Sequence, residues 1–177
     1  MISVDEPVWA TFHHAGGSAW RYPNVLGKIA ALIGSNGVPN DQLLEDMWDI
    51  CHQFSTYDAT LAAVPHLVEL CTSASPDQPI RKMLLDLIAC SIECIRTDRT
   101  SATPEIENGF SLSLAQFPGL VHATMPYAKD RTELCRLCGA FAISIGDDSL
   151  GMLMLDCLTD PCDVRSARRL HCRLSRH

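Results

Sequence analysis

Apolar residues return every third or fourth position along most of this chain, the spacing that lays one face of an α-helix against a core. Val25, Leu26, Ile29, Leu32 and Ile33 mark a helix from Tyr22 to Ile33, with Gly34 as its stop. Asn40 follows Pro39 and has the chemistry of an N-cap. Leu43, Leu44, Met47, Trp48, Ile50 and Cys51 form the next stripe, which ends near Gln53. Ser55 and Asp58 have capping-box spacing and open a helix through Leu61, Val64, Leu67, Val68 and Cys71. Pro65 falls well inside it. A proline there removes one backbone hydrogen bond and clashes with the preceding turn, at about 3 kcal/mol. The sequence therefore predicts a kink near Leu61 or two abutting helices.

Asp77 and Pro79 start the clearest stripe: Ile80, Met83, Leu84, Leu87, Ile88, Ile92 and Ile95. Residues 97–109 are polar and read as a flexible loop. Pro118-Gly119 and Pro126 leave Phe110 to Tyr127 ambiguous. Asp130 and Glu133 resemble another helix start, followed by the stripe Leu134, Leu137, Cys138, Phe141 and Ile145. Leu150, Leu153, Met154, Cys157 and Leu158 form the next. Asp160-Pro161-Cys162-Asp163 combines a cap, a proline at the first helical position and an acid in the first turn. Val164, Ala167, Leu170 and Leu174 give the last helix its inward face. The expectation is one all-α domain over 1–177, an α-α superhelix of about eight short helices. Rods this short must bury their stripes on neighbours.

The chain has 177 residues, enough for one domain with a real core. Net charge is -7, which argues against nucleic acid as a partner. The charge is uneven: residues 163–177 hold five arginines against one acid, and the rest holds nine basic and twenty acidic residues. No apolar run approaches the roughly 18 residues that a membrane span needs. Nine cysteines in a chain without a secretory leader pattern fit a reduced cytoplasm, with cysteine as a small core hydrophobe.

Two segments carry a family resemblance. Val8-Trp9-Ala10-Thr11-Phe12-His13-His14-Ala15-Gly16-Gly17-Ser18-Ala19, with Tyr22-Pro23-Asn24-Val25-Leu26, resembles the opening of bacterial HEAT-repeat proteins. The corner His52-Gln53-Phe54-Ser55-Thr56-Tyr57-Asp58-Ala59-Thr60, with Ala63-Val64-Pro65-His66-Leu67, is similar to another segment of that family. Phe54-Ser55 departs from the Gly-Thr that stands there in the family. Asp160 to Leu170 is similar to a generic second HEAT helix. The resemblance implies a helical superhelix that binds proteins, in some cases as the immunity protein of a bacterial toxin system. It implies no catalytic residue and no cofactor.

Candidate contact residues for a protein partner are Trp9, His52, Gln53 and Tyr57 near the corner, and Arg165 and Arg169 on the basic last helix. Each has a plainer role as well. Trp9 can close the end of the core; His52, Gln53 and Tyr57 can cap helix ends; the arginines suit a helix C-terminus. Trp20, His13 and His14 lie near Trp9, and adjacent histidines on a helix point in different directions. The competing class is a zinc module or metal-dependent enzyme using Cys135, Cys138, Cys157 and Cys162, separated by two, eighteen and four residues. Against it, Cys138 sits in an apolar helical stripe. A third class is a homodimer in which the basic C-terminal helix docks on an acidic body.

Overall fold

The computed structural model describes residues 1–14, 17–50, 57–97 and 102–156. Seven α-helices lie among them: α1 Tyr22–Ser35, α2 Asp41–Trp48, α3 Asp58–Ser73, α4 Pro79–Thr97, α5 Pro104–Thr124, α6 Arg131–Ser144 and α7 Asp148–Asp156. Before them come a 3-10 turn over Pro7–Ala10 and a two-residue antiparallel ribbon, β1 His13–His14 and β2 Gly17–Ser18, in which His13 faces Ser18. Among the described residues the remaining regular structure is helical, and no helix is long and apolar enough to cross a membrane.

Helix ends follow local chemistry. The Asn40 side chain accepts from Leu43 N at 2.9 Å, and Asp130 accepts from Glu133 N at 2.8 Å. Both supply an acceptor to an orphan amide of the first turn. The stop of α1 is not Gly34. Asn36 takes the left-handed conformation (φ 53°), with Gly37 N bonded to Leu32 O and Asn36 N to Ile33 O. This Schellman closure needs two residues beyond the last helical turn.

Two expectations are corrected. Residues 104–109 are not loop but the opening turns of α5. Pro104 is preorganised for the first turn, Glu105 and Glu107 favour the dipole there, and Ile106 and Gly109 are buried. The helix also runs through Pro118. Secondly, of the two outcomes expected at Pro65, the pair of abutting helices is not found: α3 is one helix across it. Every side chain from Ala59 to Val68 is buried. Burial on that scale offsets one lost backbone bond, since each large apolar side chain contributes about 1.5–3 kcal/mol.

The core runs along α3 and α4. α3 packs on α1, α4 and α5; α4 packs on α6; α5 packs on α6; and α6 packs on α7. Ile80, Leu84, Leu85, Ile88 and Ile92 of α4 are fully enclosed. The α6–α7 crossing is set by glycines: a Cβ on Gly139 would lie 2.9 Å from Gly151 O, and one on Gly151 would lie 2.3 Å from Ile143 Cγ1. Only hydrogen fits at that approach.

Candidate functional site

Three helix ends and the ribbon converge on one corner. His13 N donates to Asp58 Oδ1 at 2.7 Å, which ties the ribbon to the start of α3. Thr60 Oγ1 donates to Ile50 O at 2.8 Å, and Tyr22 OH donates to Asp49 O at 3.1 Å. The start of α1, the end of α2 and the start of α3 are thereby held together. Around this scaffold the side chains of Trp20 (62% exposed), Trp48 (42%) and His13 face solvent. The Arg21 guanidinium lies 5.5 Å from the Trp20 ring centroid, within cation–π range.

A cleft of about 240 Å³ opens between α1 and α2, lined by Trp20, Arg21, Asn24, Lys28, Asp46 and Asp49. Lys28 Nζ stands 3.4 Å from Asp46 Oδ2, and Gln42 Nε2 donates to Asp46 Oδ1 at 3.0 Å. Two cations face two anions, so the cleft selects for no net charge. The cleft thus combines an exposed indole, a guanidinium within cation–π range of it and a few polar groups. A second groove of about 350 Å³ runs between α3 and α5 past Met1, Pro65, Glu69, Gly109 and Leu112.

Trp9 cannot be the anchor expected of it. Its side chain is 2% exposed, its Nε1 donates to Ser3 O at 2.9 Å, and it packs edge-on against Phe12, with Tyr22 and His66 on its other sides. The aromatic cluster closes the core beneath the ribbon, so the plainer of its two roles holds. Tyr57 is half-buried at the N-cap position of α3, and its carbonyl accepts from Thr60 N. It does lie at the corner. His52, Gln53, Arg165, Arg169, Cys157 and Cys162 fall outside the described residues. Cys135 and Cys138 lie half-buried on α6. Among the described residues no group of three His, Cys, Asp or Glu side chains is arranged to hold a metal.

Trp48 was expected in the α2 stripe but is exposed. Leu43, Met47 and Ile50 fill that stripe, and Trp48 lies one residue, or 100°, further round. Arg21 was not singled out by the sequence at all. Its only signal is its place beside Trp20 ahead of the Pro23 helix start.

Charged groups also lie inside the fold, where they hold helices together. Arg81 Nη1 donates to Cys71 O and Ala74 O, and Arg81 Nε donates to Thr124 Oγ1 at 2.9 Å, clamping the ends of α3 and α5. Lys82 Nζ pairs with Glu133 and donates to Tyr127 O. Partial burial pushes the Glu133 carboxyl up, but Lys82 and the Lys129 N–H together bring it below the ordinary range. Burial pushes the Cys71 thiol up to about 12, so it is no thiolate nucleophile near neutral pH.

Compared with protein-family models, with curated proteins and with solved structures, the chain matches none.

Proposed function

We propose that this protein is a non-enzymatic scaffold of stacked helix pairs, of HEAT type, that binds another protein at the corner built on Trp20, Arg21 and Tyr57. The packing order supports the architecture. α1 lies on α2 and α3, α3 on α4 and α5, and α4 and α5 on α6, so the most extensive contacts join helices one or two apart in sequence, with lesser ones from α4 to α1 and α7. The observation that carries the binding role is Trp20, an indole left 62% exposed beside a hydrogen-bonded corner with a guanidinium near its ring. Tryptophan and arginine are the side chains on which protein interfaces most often concentrate their energy. The resemblance to bacterial HEAT-repeat proteins adds a specific version, an immunity protein that covers the working surface of a toxin.

The test is comparative capture. The full chain, Trp20→Ala and Arg21→Ala are immobilised and exposed to extract of the native host, and retained proteins are quantified. A partner held by the parent and reduced at least about tenfold by Trp20→Ala is expected, the loss that 1.4 kcal/mol produces. Identical capture by all three, with helical content unchanged, would overturn the reading.

A further inference from the structure

α3 and α5 lie side by side and run in the same direction. Pro65 Cγ is 3.5 Å from the point a Cβ on Gly109 would occupy, and at the far ends Arg81 bonds the carbonyls of Cys71 and Ala74 on α3 and the hydroxyl of Thr124 on α5. The groove of about 350 Å³ runs between them. Pro65, Val68 and Gly109 form its floor. Glu69 stands on the α3 rim. Asn108, Leu112 and Gln116 recur every fourth residue and form the α5 rim, with Leu112 59% exposed.

Charge on the two helices has one sign. Neither carries a lysine or an arginine, and their acids are Asp58, Glu69, Glu105 and Glu107. Glu69 lines the groove. Glu105 lies at its Met1 end, 65% exposed, where the Met1 amine approaches to 3.9 Å. So exposed a pair contributes little and yields readily to another cation. Because Gly109 stands opposite Pro65, Glu105 and Glu69 are offset by the equivalent of eight residues along the helix axes, about 12 Å.

We infer that this groove docks a basic amphipathic helix of a partner protein. Seven or eight residues of α-helix cover the same distance of about 12 Å. A helix with basic residues that far apart, and apolar residues at the third and fourth positions between them, presents all of these on one face. Laid along the groove, it sets its cations against Glu69 and Glu105 and its apolar side chains on Leu112 and the floor, as helix-in-groove recognition requires. An acidic segment would meet the same carboxylates as like charges. This surface shares no lining residue with the Trp20 cleft, and neither proposal depends on the other.

The probe is a capped, alanine-based helical peptide of about 15 residues, with two lysines about seven positions apart and photoreactive leucines between them. Binding to the full chain is read by fluorescence anisotropy, and light-driven cross-links are mapped by mass spectrometry. Saturable binding is expected, with cross-links to residues 65–73 and 108–116. Glu69→Lys/Leu112→Lys should weaken it at least about tenfold. Trp20→Ala and Glu45→Lys, a charge reversal on the exposed side of α2, should leave it unchanged. The same peptide with glutamate in place of lysine should not bind. Equal affinity in the double variant, an equal loss in Glu45→Lys, or cross-links confined to other residues would each overturn the assignment. The cross-links are read on the parent chain, so they decide the matter even if the double variant fails to fold.

Discussion

Asp86 on α4 and Arg136 on α6 form an ion pair at 2.6 Å in which burial outweighs attraction. Desolvation pushes the Asp86 carboxyl up to about 6, against the pull of Arg136 and with a further push from Glu133. Between its ordinary value of 3.8 and about 6 the folded state therefore holds more proton than the unfolded state. Stability from this group is greatest on the acid side of that window and falls as pH rises through it. The ionised form costs on the order of 3 kcal/mol at neutral pH.

Asp86→Asn removes that charge, while Arg136, nearly half exposed, stays hydrated. The substitution should be neutral or stabilising by about 1–3 kcal/mol at pH 7.5, with the gain shrinking towards pH 4. Urea midpoints at the two pH values measure it. Destabilisation at pH 7.5 would mean that the pair holds α4 and α6 together more strongly than burial opposes it.

His66 acts in the opposite sense. Its Nε2–H donates to Ile2 O at 2.8 Å, its ring packs on Trp9, and burial holds its pKa below the ordinary 6.5. The unfolded state takes up the proton first, so stability is lost as pH falls below 6.5. His66→Gln should abolish that acid-side loss, leaving the Asp86 trend visible alone. Thermal midpoints from pH 7 to 5 would show a flatter profile in the variant, and an unchanged slope would exclude His66 as its source.

Two glycines in helices should respond with opposite signs. At Gly151 a Cβ meets Ile143 and the Gly139 carbonyl, the second of which is backbone and cannot rotate away. Gly151→Ala is expected to destabilise by about 1–3 kcal/mol. At Gly109 the nearest atom is Pro65 Cγ at 3.5 Å, an ordinary contact. Gly109→Ala should therefore gain helix propensity, up to about 1 kcal/mol. Denaturant midpoints of the two variants should move apart from the parent in opposite directions.

The tryptophans divide similarly. Trp9→Ala empties a fully packed site and should cost about 3–5 kcal/mol of stability. Trp20→Ala removes an exposed ring and should leave stability within about 0.5 kcal/mol, with its effect confined to partner capture. Parallel unfolding and binding measurements separate the two roles. A large stability loss at Trp20 would reassign it to the fold.

Helix chemistry is local, and much of it is legible in residues close together along the chain. Asn40 and Asp130 act as the caps their sequence context implies, and the stripes of α1, α3 and α4 face the core. Local reading failed where burial reversed a local signal. Pro65 could be carried through α3 because neighbouring helices enclose its turn, and polar residues 104–109 became helix because Ile106 and Gly109 had α3 to pack against.

The corner was visible only in outline. Periodicity marks which residues are apolar, but which of two aromatic rings is inside depends on where the next helix passes. Trp9 is enclosed by Phe12, Tyr22 and His66, drawn from three separate stretches of chain, whereas Trp20 lies eleven residues on, 62% exposed, with Arg21 near its ring. The order of helices and their caps thus belong to the sequence, because hydrogen bonds within one turn decide them. The exposed indole and the charged groups enclosed along α4 belong to the tertiary structure, because only the packing of distant segments removes water from one side chain and leaves it on another.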